Sequence, residues 1–109
     1  NQALGKANAQ GQTVMLDLYA DWCVACKEFE KYTFPDNRVV TALRGSVLMQ
    51  IDLTDNTDDN IAFQQQFSVL GLPTILFFDR QGQEISTARV SGFMRAAPFA
   101  KHINSLFAK

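Results

Sequence analysis

Asp17-Leu18-Tyr19-Ala20-Asp21-Trp22-Cys23-Val24-Ala25-Cys26-Lys27 decides how the rest of the chain is read. The segment from Val14 to Ala20 is apolar on both faces, apart from one carboxylate. Val14, Leu16 and Leu18 alternate with Met15, Asp17 and Tyr19. A strand with that pattern belongs in the centre of a sheet covered by helices. Two cysteines spaced as CxxC follow it, and a helix is expected from about Cys23. The motif therefore stands at the join between a central strand and a helix.

Working outward, the helix after Cys23 is expected to stop or kink near Phe34-Pro35, since proline lacks a backbone donor and restricts the residue before it. Asp36 can cap a continuation that buries Val39, Val40 and Leu43, and Gly45 ends it. Val47 to Leu53 reads as a second strand. Thr54 to Asn60 is polar and acidic, with Thr57 or Asp58 as cap for a helix carrying Ile61, Phe63 and Phe67. Gly71-Leu72-Pro73-Thr74 leads into a third strand, Ile75 to Phe78. Asp79-Arg80-Gln81-Gly82 reads as a hairpin turn before a fourth strand, roughly Glu84 to Val90. A last helix buries Phe99, Ile103, Leu106 and Phe107, and residues 2–9 can form a short helix broken at Gly11. This order predicts an α/β fold, a central mixed sheet of about four to five strands flanked by helices on both faces.

The 109 residues suit one compact domain, and the 47% apolar content, with nine phenylalanines, supports a core without disulfide staples. Ten basic and eleven acidic residues leave a net charge of −1, which gives no support to nucleic-acid binding or to anchoring on an anionic membrane. No long apolar run inserts this segment into a bilayer. The chain opens at Asn1 rather than at methionine, so a single domain excised from a longer protein is expected.

A secreted disulfide scaffold would use more cysteines at wider spacing. A zinc site would need two more ligands, and the one histidine, His102, falls on a distant predicted helix. A lone CxxC beside a strand–helix unit points instead to redox chemistry, with no metal or other cofactor beyond the cysteine pair. At a helix N-terminus Cys23 meets unpaired N–H groups and the positive end of the dipole, which favour a thiolate. Cys26 lies one turn further in. The first sulfur can then be exposed and the second shielded, so that Cys23 attacks a partner disulfide and Cys26 resolves the mixed disulfide.

The segment Asp17–Lys27 resembles the active-site segment of the thioredoxin superfamily. Gly71-Leu72-Pro73-Thr74 resembles that family's cis-proline loop, about fifty residues later. The resemblance implies a thioredoxin fold over roughly residues 12 to 107, a cis Pro73 facing the CxxC, and a Leu72 whose backbone bonds an incoming peptide. The dipeptide between the cysteines is Val24-Ala25 rather than Gly-Pro. The longer string from Asp17 to Phe34, DLYADWCVACKEFEKYTF, closely resembles the C-terminal periplasmic domains of the DsbD family of thiol:disulfide interchange proteins. That likeness implies a protein-disulfide reductase on the periplasmic side of the bacterial inner membrane, with a role in cytochrome maturation. Its partners would be other domains of the same protein, reached by transient mixed disulfides: a membrane-embedded electron donor and an N-terminal periplasmic acceptor. A free-standing thioredoxin-like reductase, or an oxidase or isomerase on the same fold, remains the alternative, because direction depends on reduction potential. A module that only docks peptides is disfavoured by the intact CxxC.

Two carboxylates stand out. Asp17 lies mid-strand, six residues before Cys23. Burying it is costly unless it is paired or protonated, which suits a proton donor or acceptor under the motif. Glu30, seven residues after Cys23 and four after Cys26, should share their helix face, whereas Glu28 should be rotated toward solvent. An ion pair with Lys27 is the competing role for Glu30. The resemblance places an acid at this position near the active site. The dipole would lower the Cys23 pKa and the two acids would raise it. Trp22, Leu72 and Pro73 are the candidate substrate-binding residues. Tyr19, Trp22 and Phe34 can shape a docking surface, although aromatics this near a central strand usually belong to the core.

Overall fold

The computed structural model describes residues 11–107; the helix expected over residues 2–9 lies outside them. The sheet contains β1 (Val14–Tyr19), β2 (Val47–Asp52), β3 (Thr74–Phe78) and β4 (Val90–Ser91) in the order β2-β1-β3-β4. β1 pairs parallel with β2 and antiparallel with β3, and β3 pairs antiparallel with β4, so the sheet is mixed as expected. Its register sets Asp17 between Gln50 of β2 and Ile75 of β3.

Alternation along β1 and β3 creates two cores. Met15, Ile75 and Phe77 face one layer, formed by the π-helical turn Phe29–Thr33 that follows α1 (Val24–Glu28), by α2 (Asn37–Ala42) and by α4 (Ala96–Leu106). Within that layer Phe29, Val39, Phe99 and Ile103 are fully buried, as is Phe77 across from them. Val14, Leu16, Leu18, Leu76 and Phe78 face the other layer, where Phe63 and Phe67 pack from α3 (Asp58–Gln66) and from its end. The caps fall where expected: Asp36 accepts from the Arg38 N–H at 2.9 Å, and Thr57 accepts from the Asn60 N–H at 3.1 Å.

Three expectations are corrected. The helix from Cys23 does not run as a regular α-helix to Phe34. The Phe34 N–H reaches back five residues to the Phe29 carbonyl at 2.9 Å, and this π turn absorbs an extra residue. Phe29 thereby stacks on Phe34 with ring centres 5.2 Å apart, and the Thr33 hydroxyl donates to the Met94 carbonyl at 2.6 Å. The expected strand from Glu84 to Val90 is a single bridge at Glu84, a 3₁₀ turn over Ser86–Ala88 and the two-residue β4. There the Arg89 guanidinium grips the Glu84 carboxylate, and the local turn replaces a ladder. Val40 is 48% exposed, because α2 turns only Val39, Ala42 and the following Leu43 inward.

Candidate functional site

Cys23 is the N-cap of α1, with extended backbone dihedrals, and its N–H donates to the Ala20 carbonyl at 3.1 Å. Its sulfur already accepts the Cys26 N–H at 3.1 Å. The same donor would serve a thiolate in the reduced state, where a charged acceptor strengthens the bond. Cys23 and Cys26 are joined in a disulfide, with Cα atoms 5.3 Å apart. The expected contrast in exposure is small in this closed form: Cys23 is 6% and Cys26 3% exposed. Tyr19, Ala25 and Leu72 cover the pair.

Two loops hold the site. The turn before Cys23 is tied to the end of β2: the Asp21 N–H donates to Thr54 Oγ1 at 2.9 Å, and the Trp22 indole donates to the Thr54 carbonyl at 3.2 Å. Asp52 in turn accepts from the Thr54 hydroxyl and N–H. Trp22 is 65% exposed, so of the three aromatics in question it stands outside the core, while Phe34 packs into it and Tyr19 sits half-buried against the cysteines. The second loop holds the Leu72–Pro73 bond, which is cis, with Leu72 against the cysteine pair and Pro73 buried. The Pro73 carbonyl accepts from the Gly92 N–H at 3.1 Å; Gly92 has φ +82°, a conformation that disfavours any side chain. A groove of about 470 Å³ runs beside it, lined by Leu70, Leu72, Pro73, Arg89 and Ser91. Thr54 and Gly92 were not foreseen as site residues. Threonines and glycines are frequent in loops, and only the fold brings Thr54 to the turn before Cys23 and Gly92 to Pro73.

Asp17 is 3% exposed, on the sheet face of Met15 and Tyr19. Burial pushes its carboxyl up to about 6, the nearby Glu30 charge adds to the rise, and the hydrogen bond from Gln50 opposes it. Gln50 Nε2 donates to Asp17 Oδ2 at 3.1 Å. Gln50 also escaped the sequence reading, although aligning the two parallel strands would have paired it with Asp17. Glu30 is exposed on the π turn, yet close enough to act on Asp17, and it joins neither Arg38–Asp36 nor Arg89–Glu84, the ion pairs found among the described residues. Glu28, expected in solvent, is half-buried at a separate groove with Tyr32, Phe93 and Arg95. Among the described residues no cluster of three or more His, Cys, Asp or Glu side chains could hold a metal, and no helix is long and apolar enough to cross a membrane.

Comparison with known proteins adds to this geometry. A family model described as a thioredoxin-like domain matches residues 1–107. The chain is 71% identical over 105 residues to the thiol:disulfide interchange protein DsbD of Pseudoalteromonas atlantica, covering 96% of this chain and 18% of that protein. It is 58% identical to DsbD of Colwellia psychrerythraea, covering 94% of this chain and 17% of the relative. The chain thus spans less than a fifth of the length of these relatives. Among solved structures, the oxidised C-terminal domain of Neisseria meningitidis DsbD superposes with a TM-score of 0.78 at 29% identity, over 95% of this chain and 86% of that one.

Proposed function

The chain belongs to the thioredoxin-like domain family, and from that premise we propose that it is the protein-disulfide reductase segment of a longer thiol:disulfide interchange protein. It passes two electrons at a time through Cys23 and Cys26. The observation that carries this reading is the disulfide of Cys23 and Cys26 at a helix mouth, with Leu72 of the cis-proline loop packed against it.

In the reduced domain the Cys23 thiolate attacks one sulfur of a partner disulfide. The Cys23–partner bond forms, and the partner's second sulfur leaves with the electron pair and takes a proton. Cys26 then gives up its proton, with the Asp17 carboxylate as acceptor, and attacks Cys23. The Cys23–Cys26 bond forms, the Cys23–partner bond breaks, and the partner departs as a dithiol. Two electrons have moved to the partner, and a dithiol donor restores the domain by the reverse steps. In the DsbD-like arrangement the donor is a membrane-embedded domain, the acceptor an N-terminal domain of the same protein, and the place the periplasmic side of the inner membrane. Trp22 and the Leu72–Pro73 edge form the surface on which partners lie.

Glu30 and Asp17 set the reactivity of Cys23. The helix mouth lowers its pKa and the two acids raise it; where the acids outweigh the dipole, the free domain holds Cys23 as thiol at neutral pH and reacts well only with docked partners. The decisive experiment follows electron transfer from the reduced domain to a disulfide-bonded acceptor domain. Cys23→Ser abolishes transfer, and Cys26→Ser accumulates the mixed disulfide; transfer that survives Cys23→Ser refutes the reading. Equilibration with glutathione tests direction: a potential as high as that of a strong oxidant overturns the reductase assignment. A Cys23 pKa well below that of a free thiol, unchanged by Asp17→Asn and Glu30→Gln, removes the tuning role of the acids.

A further inference from the structure

Three polar or charged side chains are buried among the described residues: Asp17, Thr33 and Thr74. Asp17 has its role above, and Thr74 donates to the Gly71 carbonyl three residues back, a local turn bond. Thr33 behaves differently. It is fully buried, in the π turn that follows the CxxC helix. A buried hydroxyl is costly unless it is bonded. That of Thr33 reaches a residue 61 positions away, donating to the Met94 carbonyl at 2.6 Å. Met94 belongs to the irregular segment 92–95 between β4 and α4. This segment touches both halves of the site. At its start the Gly92 N–H donates to the Pro73 carbonyl at 3.1 Å. Next, Phe93 meets Phe29, the C-cap of α1, edge-on with ring centres 5.4 Å apart. At Met94 the Thr33 hydroxyl holds the segment to the π turn. Three consecutive residues thus join the helix that carries the cysteines to the loop that carries Leu72–Pro73. Thr33 itself lies outside the cluster that encloses the cysteines.

We propose that Thr33 is a positioning residue for protein partners: through Met94 and Gly92 its hydroxyl holds the Leu72–Pro73 edge in place relative to the cysteine pair. The inference rests on the reading of that edge as the surface on which partners lie. A protein disulfide must fit the edge and present its sulfur to Cys23 at the same time, so an edge free to wander makes productive encounters rarer. A small disulfide needs only the sulfur. Thr33 therefore favours protein disulfides over small ones without touching either.

The test compares Thr33→Val and Thr33→Ser with the parent chain, each in the reduced form. Rate constants are measured for oxidation by insulin and by 2-hydroxyethyl disulfide, and the reduction potential by equilibration with glutathione. Thr33→Val should slow the reaction with insulin roughly three- to tenfold, the effect of one lost neutral hydrogen bond. The rate with 2-hydroxyethyl disulfide and the potential should stay unchanged. Thr33→Ser keeps the hydroxyl and should restore the insulin rate. A residue that merely stabilises the fold would slow both oxidants or neither. Deuterium exchange adds a reading that needs no variant. In the parent the Gly92 amide should be protected as well as the Phe34 amide of the π turn, since one clasp holds both segments. The inference is overturned if Thr33→Val leaves the insulin rate in place or slows both oxidants alike, if Thr33→Ser is as slow as Thr33→Val, or if Gly92 exchanges freely in the parent. Should Thr33→Val fail to fold, Gly92 protection in the parent together with a normal insulin rate in Thr33→Ser upholds the inference, and the loss of either overturns it. Leu72→Ala separates the two levels. An unchanged ratio of insulin to small-disulfide rates in that variant refutes the docking reading itself, whereas a lowered ratio beside an inert Thr33→Val refutes only the role of Thr33.

Discussion

The two faces of the sheet are built from one alternating strand and end up with different jobs. On the face of Met15, Asp17 and Tyr19 lies a dense aromatic layer: Phe29 meets Phe34, Phe93 and Phe99 at ring-centre distances of 5.2 to 5.4 Å. On the face of Val14, Leu16 and Leu18, α3 contributes no fully covered residue, and its Phe63 is only half-buried. The buried carboxyl belongs to the dense side, and the cysteines form a small cluster of their own with Ala20, just beyond the end of β1. The difference teaches that this fold spends its best packing on Phe29, the residue that ends the CxxC helix, and so anchors that helix beside the central strand. A nucleophile and its resolving partner need fixed geometry, whereas α3 has only to cover the other side.

The largest test of that contrast is Phe29→Ala. Removing a fully buried ring from the aromatic layer should cost about 4 kcal/mol in urea denaturation. A loss below about 1 kcal/mol would mean the layer is not the dominant core.

Next comes the penalty that the same face bears for its carboxyl. The Asp17 pKa is raised in the folded state, from 3.8 to about 6. The stability tied to its protonated form is therefore fully present below pH 3.8 and lost as pH rises through about 6. Asp17→Asn should then stabilise the domain by up to about 3 kcal/mol at pH 7.5 and by nothing near pH 3.5. Equal gains at both pH values would show that ionisation is not the cause.

Smaller effects are expected across the sheet. Phe67→Ala, at the half-buried end of α3, should cost about 1.5 kcal/mol. The α3 amides should exchange with deuterium faster than those of α4, since local opening follows weak packing. Smallest of all, Ile61→Ser on the exposed side of α3 should change stability by no more than about 0.5 kcal/mol. A loss from Ile61→Ser as large as that from Phe29→Ala would erase the contrast between the faces.

Much of this architecture was readable in advance, and particular residues show why. The two-sided apolar run at Val14–Tyr19 could only be a central strand, and Asp36 and Thr57 sit where short polar side chains cap helices. The CxxC and the Leu72–Pro73 pair are local motifs, so their chemistry showed in the residue string. The π turn at Phe29–Thr33 could not be read, because an inserted residue breaks the period on which helix faces are assigned. Glu28 lies before that turn, and its half-burial comes from the groove it shares with Tyr32, Phe93 and Arg95. The segment after Glu84 looked like strand by composition, and the Arg89–Glu84 grip made it a turn.

By itself, the order of residues determined the strand-then-helix junction, the cysteine pair at its corner and the caps around it, since each depends on neighbours within a few positions. Only the tertiary structure decided that Gln50 bonds Asp17, that Thr54 pins Trp22, and that Gly92 closes on Pro73. Those pairings join residues 19 to 33 positions apart, and strand register, rather than local preference, selects which of many polar groups meet.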